Sequence, residues 1–251
     1  MNLFDYKLKF FPLKCWSLLL FLVLIITVSC ENQLIENVVL TDKTIALTFD
    51  DGPDPIYTDM ILDVLKEKDV KATFFLIGKR MEQYPLITQR IFEEGHCLAN
   101  HTYGHFDLKK KSYSEMYNSV LHTEEILNGI CGVSMKIFRP PWGHITKGEQ
   151  ANLENYGFTV VLWDINSGDY KSKAKVDEII DNVMKNVGNK KIVLFHDSDY
   201  LGKASRQNTV LALPKIIDML KDRGYRFETI NQMENVRYQP LLERPEEFGL
   251  Y

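Results

Sequence analysis

The sequence predicts an α/β fold: a parallel sheet covered by helices and curled towards a barrel. Three observations carry this expectation. After Asp42, short apolar runs alternate with segments of helical period, the pattern of repeated strand–helix–strand units. Alternation alone does not separate a barrel from an open doubly wound sheet. The polar clusters, however, follow several different runs rather than one, which suits a barrel whose loops all open at the same end. Finally, no linker rich in Pro, Gly or Ser and no internal repeat divides this region, and a chain of 251 residues that is 45% hydrophobic is large and apolar enough to build a core. One domain over residues 43–251 is expected.

Seven runs read as strands: 44–49, 72–76, 97–100, 136–138, 159–163, 192–195 and 226–229. The first ends in Thr48-Phe49-Asp50-Asp51-Gly52-Pro53, a buried run that delivers two acids to its carboxyl end before a turn. Tyr57, Ile61, Leu62 and Leu65 form one face of the first helix. A second helix, over about 114–127, opens with Ser112 and Glu115 at the spacing of a capping box. Val176, Ile179, Ile180, Val183, Met184 and Val187 give the clearest helical face. A last helix lies near 213–220.

The N-terminus reads as a leader over residues 1–29. Lys7, Lys9 and Lys14 precede an apolar stretch at 16–26, a basic region followed by a short hydrophobic one. A membrane-spanning helix would want about 20 apolar residues. Ser29-Cys30 resembles a bacterial lipoprotein cleavage box, with Thr27 in place of the usual Leu. This resemblance implies export, a lipidated Cys30 at the mature start, a tether over 30–42 and a place in the cell envelope. Ordinary signal cleavage and an uncleaved anchor are the alternatives. The net charge of −4 gives no support to nucleic-acid binding. Of four cysteines, Cys97 and Cys131 fall in the folded region. In an exported protein they could pair or remain buried thiols, and their spacing does not suggest a metal site.

Two clusters point to chemistry. A carboxylate from Asp50-Asp51, with His101 and His105 from Asn100-His101-Thr102-Tyr103-Gly104-His105, would make a set of three ligands for zinc or a similar divalent ion. Histidines at i and i+4 can share one side of a helical turn. Taken alone, two aspartates before a turn are more often a turn device, and a pair of histidines is more often surface or core. Three further clusters follow later runs: Arg139-Pro140-Pro141-Trp142-Gly143, Asp164-Ile165-Asn166-Ser167-Gly168-Asp169-Tyr170, and Leu194-Phe195-His196-Asp197.

Together, in this order, the five clusters resemble the polysaccharide deacetylases of the NodB-homology group, carbohydrate esterase family four, over nearly all of residues 43–229. The resemblance implies a distorted (β/α) barrel of about seven parallel strands. It also implies a metal-dependent hydrolase that removes N-acetyl groups from N-acetylglucosamine polymers of the peptidoglycan or chitin type, acting as a monomer. An O-deacetylase of acetylated xylan and an inactive metal-containing glycan-binding module are the alternatives. Carried over, Asp50 is the general base, and Asp51, His101 and His105 hold one divalent ion, zinc first, with cobalt or nickel as alternatives. Arg139 holds Asp50, while Trp142 offers wall and main-chain N–H to the oxyanion. Asp169 orients His196, the general acid. Pro141, Tyr170 and Leu194 border the acetyl pocket. The fourth cluster departs from the family pattern, with Asn166 where a second acid is frequent and Tyr170 in place of Trp. His96, His122 and His144 read as ordinary solvated or packed histidines.

Overall fold

The computed structural model describes residues 43–134 and 136–233. The expected leader, the tether and Cys30 lie outside the described residues. Eight strands form one sheet, every pairing parallel: β1 (Lys43–Asp50), β2 (Thr73–Leu76), β3 (Cys97–Asn100), β4 (Ile137–Phe138), β5 (Thr159–Val160), β6 (Ile165–Asn166), β7 (Lys191–His196) and β8 (Tyr225–Phe227). The order is β5-β4-β3-β2-β1-β7-β6. Along one edge β1 pairs with β7; along the other, β8 takes residues 43–45 and β2 takes residues 48–50. This is the expected curled parallel sheet, with β5 and β6 at its two ends and not paired with one another.

The helices are α1 (Tyr57–Glu67), α2 (Gly78–Gln83), α3 (Pro85–Glu93), α4 (Tyr113–Cys131), α5 (Lys147–Asn155), α6 (Val176–Met184) and α7 (Gln207–Asp222). The Ser112–Glu115 capping box is present at the start of α4, and Gly132 ends that helix at φ 69°, the left-handed conformation that glycine adopts without a Cβ penalty. No described helix is long and apolar enough to cross a membrane. Cys97 and Cys131 are free thiols, Cys97 buried.

The period of two in β1 sets the plan. Ile45, Leu47 and Phe49 join the core between sheet and helices, whereas Ala46 packs into a smaller cluster with Phe75, Ala99 and Val161. Thr48 and Asp50 follow Ala46 in the alternation and share its face. In the outer core the rings of Phe74, Phe49 and Phe195 stack across three adjacent strands, with centroids 5.1 and 5.5 Å apart. Register puts each of them directly opposite the next. Replacing Phe49, fully buried at the middle of this row, by Ala should cost about 3–5 kcal/mol of stability, measured as a lowered urea midpoint at unchanged slope.

The expected strand at 159–163 is interrupted. After β5, the carbonyls of Val161 and Leu162 accept from the guanidinium of Arg139. A side chain thus takes hydrogen bonds that a continuous strand would give to a neighbour.

Candidate active site

All five clusters converge at the carboxyl ends of β1, β3, β4, β6 and β7. Register places Asp50 opposite His196 on β7 and Phe75 on β2. The chain then turns at Asp51, whose φ of 77° lies in the left-handed region. That reversal cancels the strand alternation and brings both carboxylates to one site. Gly52 is dictated by contact, since a Cβ there would lie 2.1 Å from Asp197 Oδ2.

Arg139 is fully buried and holds the first acid. Its Nη1 donates to Asp50 Oδ1 at 2.6 Å and to Thr48 Oγ1 at 2.9 Å. Nη2 and Nε donate to the Leu162 and Val161 carbonyls. The guanidinium also lies 3.9 Å from the centroid of the Phe75 ring, a cation–π contact strengthened by desolvation. Burial pulls the Arg139 pKa down, against the pull of Asp50, but guanidinium starts so high that it keeps its charge.

His101 and His105 do not meet across a helical turn, as their spacing had suggested. They stand on an irregular loop with two left-handed residues, Thr102 (φ 66°) and His105 (φ 50°). Thr102 closes this loop: its N–H donates to Asn100 Oδ1, and its Oγ1 accepts from the His105 N–H, both at 3.0 Å. The Arg139 carbonyl, 2.8 Å from His101 Nδ1, can only accept, so Nδ1 carries the proton and Nε2 presents a lone pair. That Nε2 is 3.5 Å from Asp51 Oδ1 and 3.8 Å from Asp50 Oδ2, while His105 Nε2 is 3.1 Å from Asp51 Oδ1.

Asp51, His101 and His105 are buried, and one ligand atom from each lies within 4.8 Å of the others. Asp51 Oδ1 has no hydrogen-bond partner although it is inaccessible to water, an arrangement that costs free energy unless something else satisfies it. Burial would raise the Asp51 carboxyl, but the two imidazoles outweigh it and hold the pKa well below the usual carboxylate range. A carboxylate oxygen facing imidazole nitrogen is the donor set of a divalent cation, and these residues fit one.

On the other side of Asp50, His196 Nδ1 sits 2.8 Å from Asp169 Oδ1. Asp169 Oδ2 accepts from the His196 N–H and from the Thr209 hydroxyl. Burial alone would lower the His196 pKa, yet Asp169 raises it to about 9. Asn166 Oδ1 accepts from the Gly168 N–H at 2.9 Å, so this residue shapes the turn that carries Asp169. The Tyr170 ring stands edge-on to His196 at 5.6 Å, and Leu194 is buried. Trp142, 41% exposed and at φ 55°, follows the buried Pro141 and meets His105 edge-on at 4.4 Å. Sequence reasoning missed Phe75, Thr209 and Tyr200, which no motif marks, and gave no role to Thr48, although it opens the first cluster.

His144 is 3.1 Å from Asp107, and His122 is exposed beside Glu125. His96 accepts from the Ala72 N–H, and burial pushes its pKa down to about 4.

The arrangement suits cation-assisted hydrolysis, with a held carboxylate and a charged imidazole beside the donor triad. A family model described as polysaccharide deacetylase matches residues 37–161. The peptidoglycan-N-acetylglucosamine deacetylase of Bacillus cereus is 42% identical over 189 residues, 75% of this chain and 67% of that protein. PdaC of Bacillus subtilis, a peptidoglycan-N-acetylmuramic acid deacetylase, is 36% identical over 81% of this chain and 41% of its own length. Among solved structures, the Bc1960 peptidoglycan N-acetylglucosamine deacetylase superposes with a TM-score of 0.74 at 41% identity, covering 76% of this chain and 88% of that one. The chain belongs to the polysaccharide deacetylase family, and its fold is that of the NodB-homology group.

Proposed function

We propose that this chain hydrolyses N-acetyl groups of N-acetylglucosamine-containing polysaccharide, of the peptidoglycan or chitin type, and releases acetate. The observation that carries the reading is a held carboxylate and a charged imidazole on adjacent strands beside one donor triad. A glycan-binding module would need neither. The relatives named for peptidoglycan support the choice of polymer.

Asp51, His101 and His105 would hold a divalent ion, zinc first by ligand type, with cobalt or nickel as alternatives. When bound, such an ion supplies Lewis acidity towards a carbonyl and lowers the pKa of water. The protein's own groups do the rest. Arg139 fixes Asp50 Oδ1, leaving the carboxylate oriented to take a proton from the attacking water. Trp142 directs its main-chain N–H to the oxyanion, an interaction worth most where charge develops. Pro141, Tyr170 and Leu194 enclose the acetyl methyl. His196 gives its Nε2 proton to the departing nitrogen, because Nδ1 is engaged by Asp169 and because an amine anion is a poor leaving group.

The reading is tested by acetate release from peptidoglycan, chito-oligosaccharide and acetylated xylan, with and without a chelator. Release from the first two that a chelator abolishes is expected. Release from xylan alone would make the enzyme an O-deacetylase.

Asp50→Asn should retain about one metal per chain by elemental analysis and lose ~10²–10⁴ in turnover, since an amide cannot accept the proton. Loss of the metal in this variant would exchange the roles of Asp50 and Asp51.

The raised pKa of His196 sets the sign of the pH dependence. The imidazolium is present below about pH 9 and lost above it, so amide cleavage should fall on the alkaline side. Asp169→Asn removes the carboxylate that favours the charged form; the alkaline limb of the rate profile should move to lower pH. Amide substrates should slow more than esters, because an alkoxide leaves more readily. An unmoved limb would make Asp169 a loop residue only.

The basic and apolar leader further supports envelope location, with Cys30 lipidated. Mass spectrometry of membrane-derived protein should find a diacylglyceryl-modified N-terminal Cys30. An N-terminus at another residue would leave export without the lipid anchor.

A further inference from the structure

The family motifs deal with the acetyl group and the reacting atoms, whereas a polymer must also be held by its sugar rings. The loop after β7 supplies a candidate. Its tip carries Tyr200, 44% exposed, whose ring stacks on His105 with centroids 4.6 Å apart and planes 17° apart. Trp142 meets the same tyrosine edge-on at 5.8 Å. One face of Tyr200 is covered by a residue of the donor triad, so its exposed surface belongs to the side turned away from His105.

The loop is built to hold this ring. The Asp199 carboxylate accepts from the backbone N–H groups of Leu201, Lys203 and Ala204 at 3.2, 2.8 and 2.9 Å. Buried Arg206 donates to the Ser198 carbonyl at 2.6 Å. These bonds fix the residues on both sides of Tyr200, which lowers the entropy lost when a ligand settles on it. Tyr170 is also 41% exposed and contacts His196. Exposed aromatic surface therefore borders the site at two different imidazoles. Aromatic rings with one apolar face and a polar tip suit a ligand that is both C–H-rich and hydroxylated.

We infer that Tyr200 is a substrate-contacting residue that stacks on a pyranose ring of the glycan beside the donor triad, favouring oligomers over small acetyl compounds. The inference rests on the proposed deacetylase activity for its substrate class. It is tested by comparing wild type, Tyr200→Ala and Tyr200→Trp on an N-acetylglucosamine tetramer and on p-nitrophenyl acetate, with metal content measured for each. Tyr200→Ala should raise KM for the tetramer about 3–10-fold, the effect of one aromatic contact. The ratio of kcat/KM for tetramer to that for the small ester should fall, and Tyr200→Trp should restore it. An equal loss on both substrates, or loss of metal, would show that the ring only supports His105 and would overturn the inference, as would an unchanged ratio. Wild type that releases no acetate from any acetylated glycan overturns the functional reading instead. In that case tetramer binding, followed by tryptophan fluorescence, decides the role of Tyr200: weaker binding by Tyr200→Ala upholds the contact, and equal binding overturns it.

Discussion

The buried guanidinium of Arg139 is the interaction on which this site depends. It ties β1 through Thr48 and Asp50 to the 161–162 segment that follows β5, one end of the sheet. Its own carbonyl sets the tautomer of His101. One residue thus orients Asp50 with its side chain and a metal-ligand candidate with its backbone. A lysine could not reproduce this, since a single ammonium lacks the planar fork that reaches a carboxylate, a hydroxyl and two carbonyls at once. The burial is tolerable because the charge is paired, its N–H groups are engaged, and one face lies over Phe75.

The architecture was legible because its signal is periodic. The alternation in β1 specifies which residues face the helices and which face the interior, and neighbouring strands repeat it. Cys97–Asn100 was read to the residue for this reason. The end of the fifth run was not, because what stops it lies outside the run. An apolar stretch through Trp163 reads as strand, yet its carbonyls serve an arginine more than twenty residues earlier in the chain. Helices α2, α3 and α5 also escaped notice: α2 is only six residues long, and α5 presents a weakly apolar face.

The residues of the site were legible as a set, and their local geometry was not. The chemistry of Asp50-Asp51 beside two histidines survives any conformation that brings them together, so residue type and order suffice to identify it. How they come together depends on left-handed turns at Asp51, Thr102 and His105. No composition rule assigns such turns to non-glycine residues, because surrounding contacts must hold them there. The helical turn expected for the two histidines fails on this point. Thr102 holds that loop in its irregular form through two hydrogen bonds. Tyr200 carried no motif at all; its place is defined only by what it stacks on.

Four buried aspartates on this site show how one residue type is given different tasks. Asp50 is gripped by Arg139, which fixes its direction. Asp51 and Asp169 are both held low against burial by imidazoles, but the first leaves an oxygen without a partner while the second has both oxygens occupied. A carboxylate with a vacant lone pair can bind a cation, and one with none can only orient its neighbour. Among the described residues Asp197 has no cationic partner at hydrogen-bonding distance, and burial pushes it up to about 7. It accepts from the Thr58 hydroxyl at 2.6 Å and presses on Gly52, so it acts through packing on the turn that carries Asp51. The differences among the four come from their partners, and those partners arrive from the end of β4, the loop after β3, β7 with α7, and α1. This is why the site could form only at the end of the sheet where all of these segments meet.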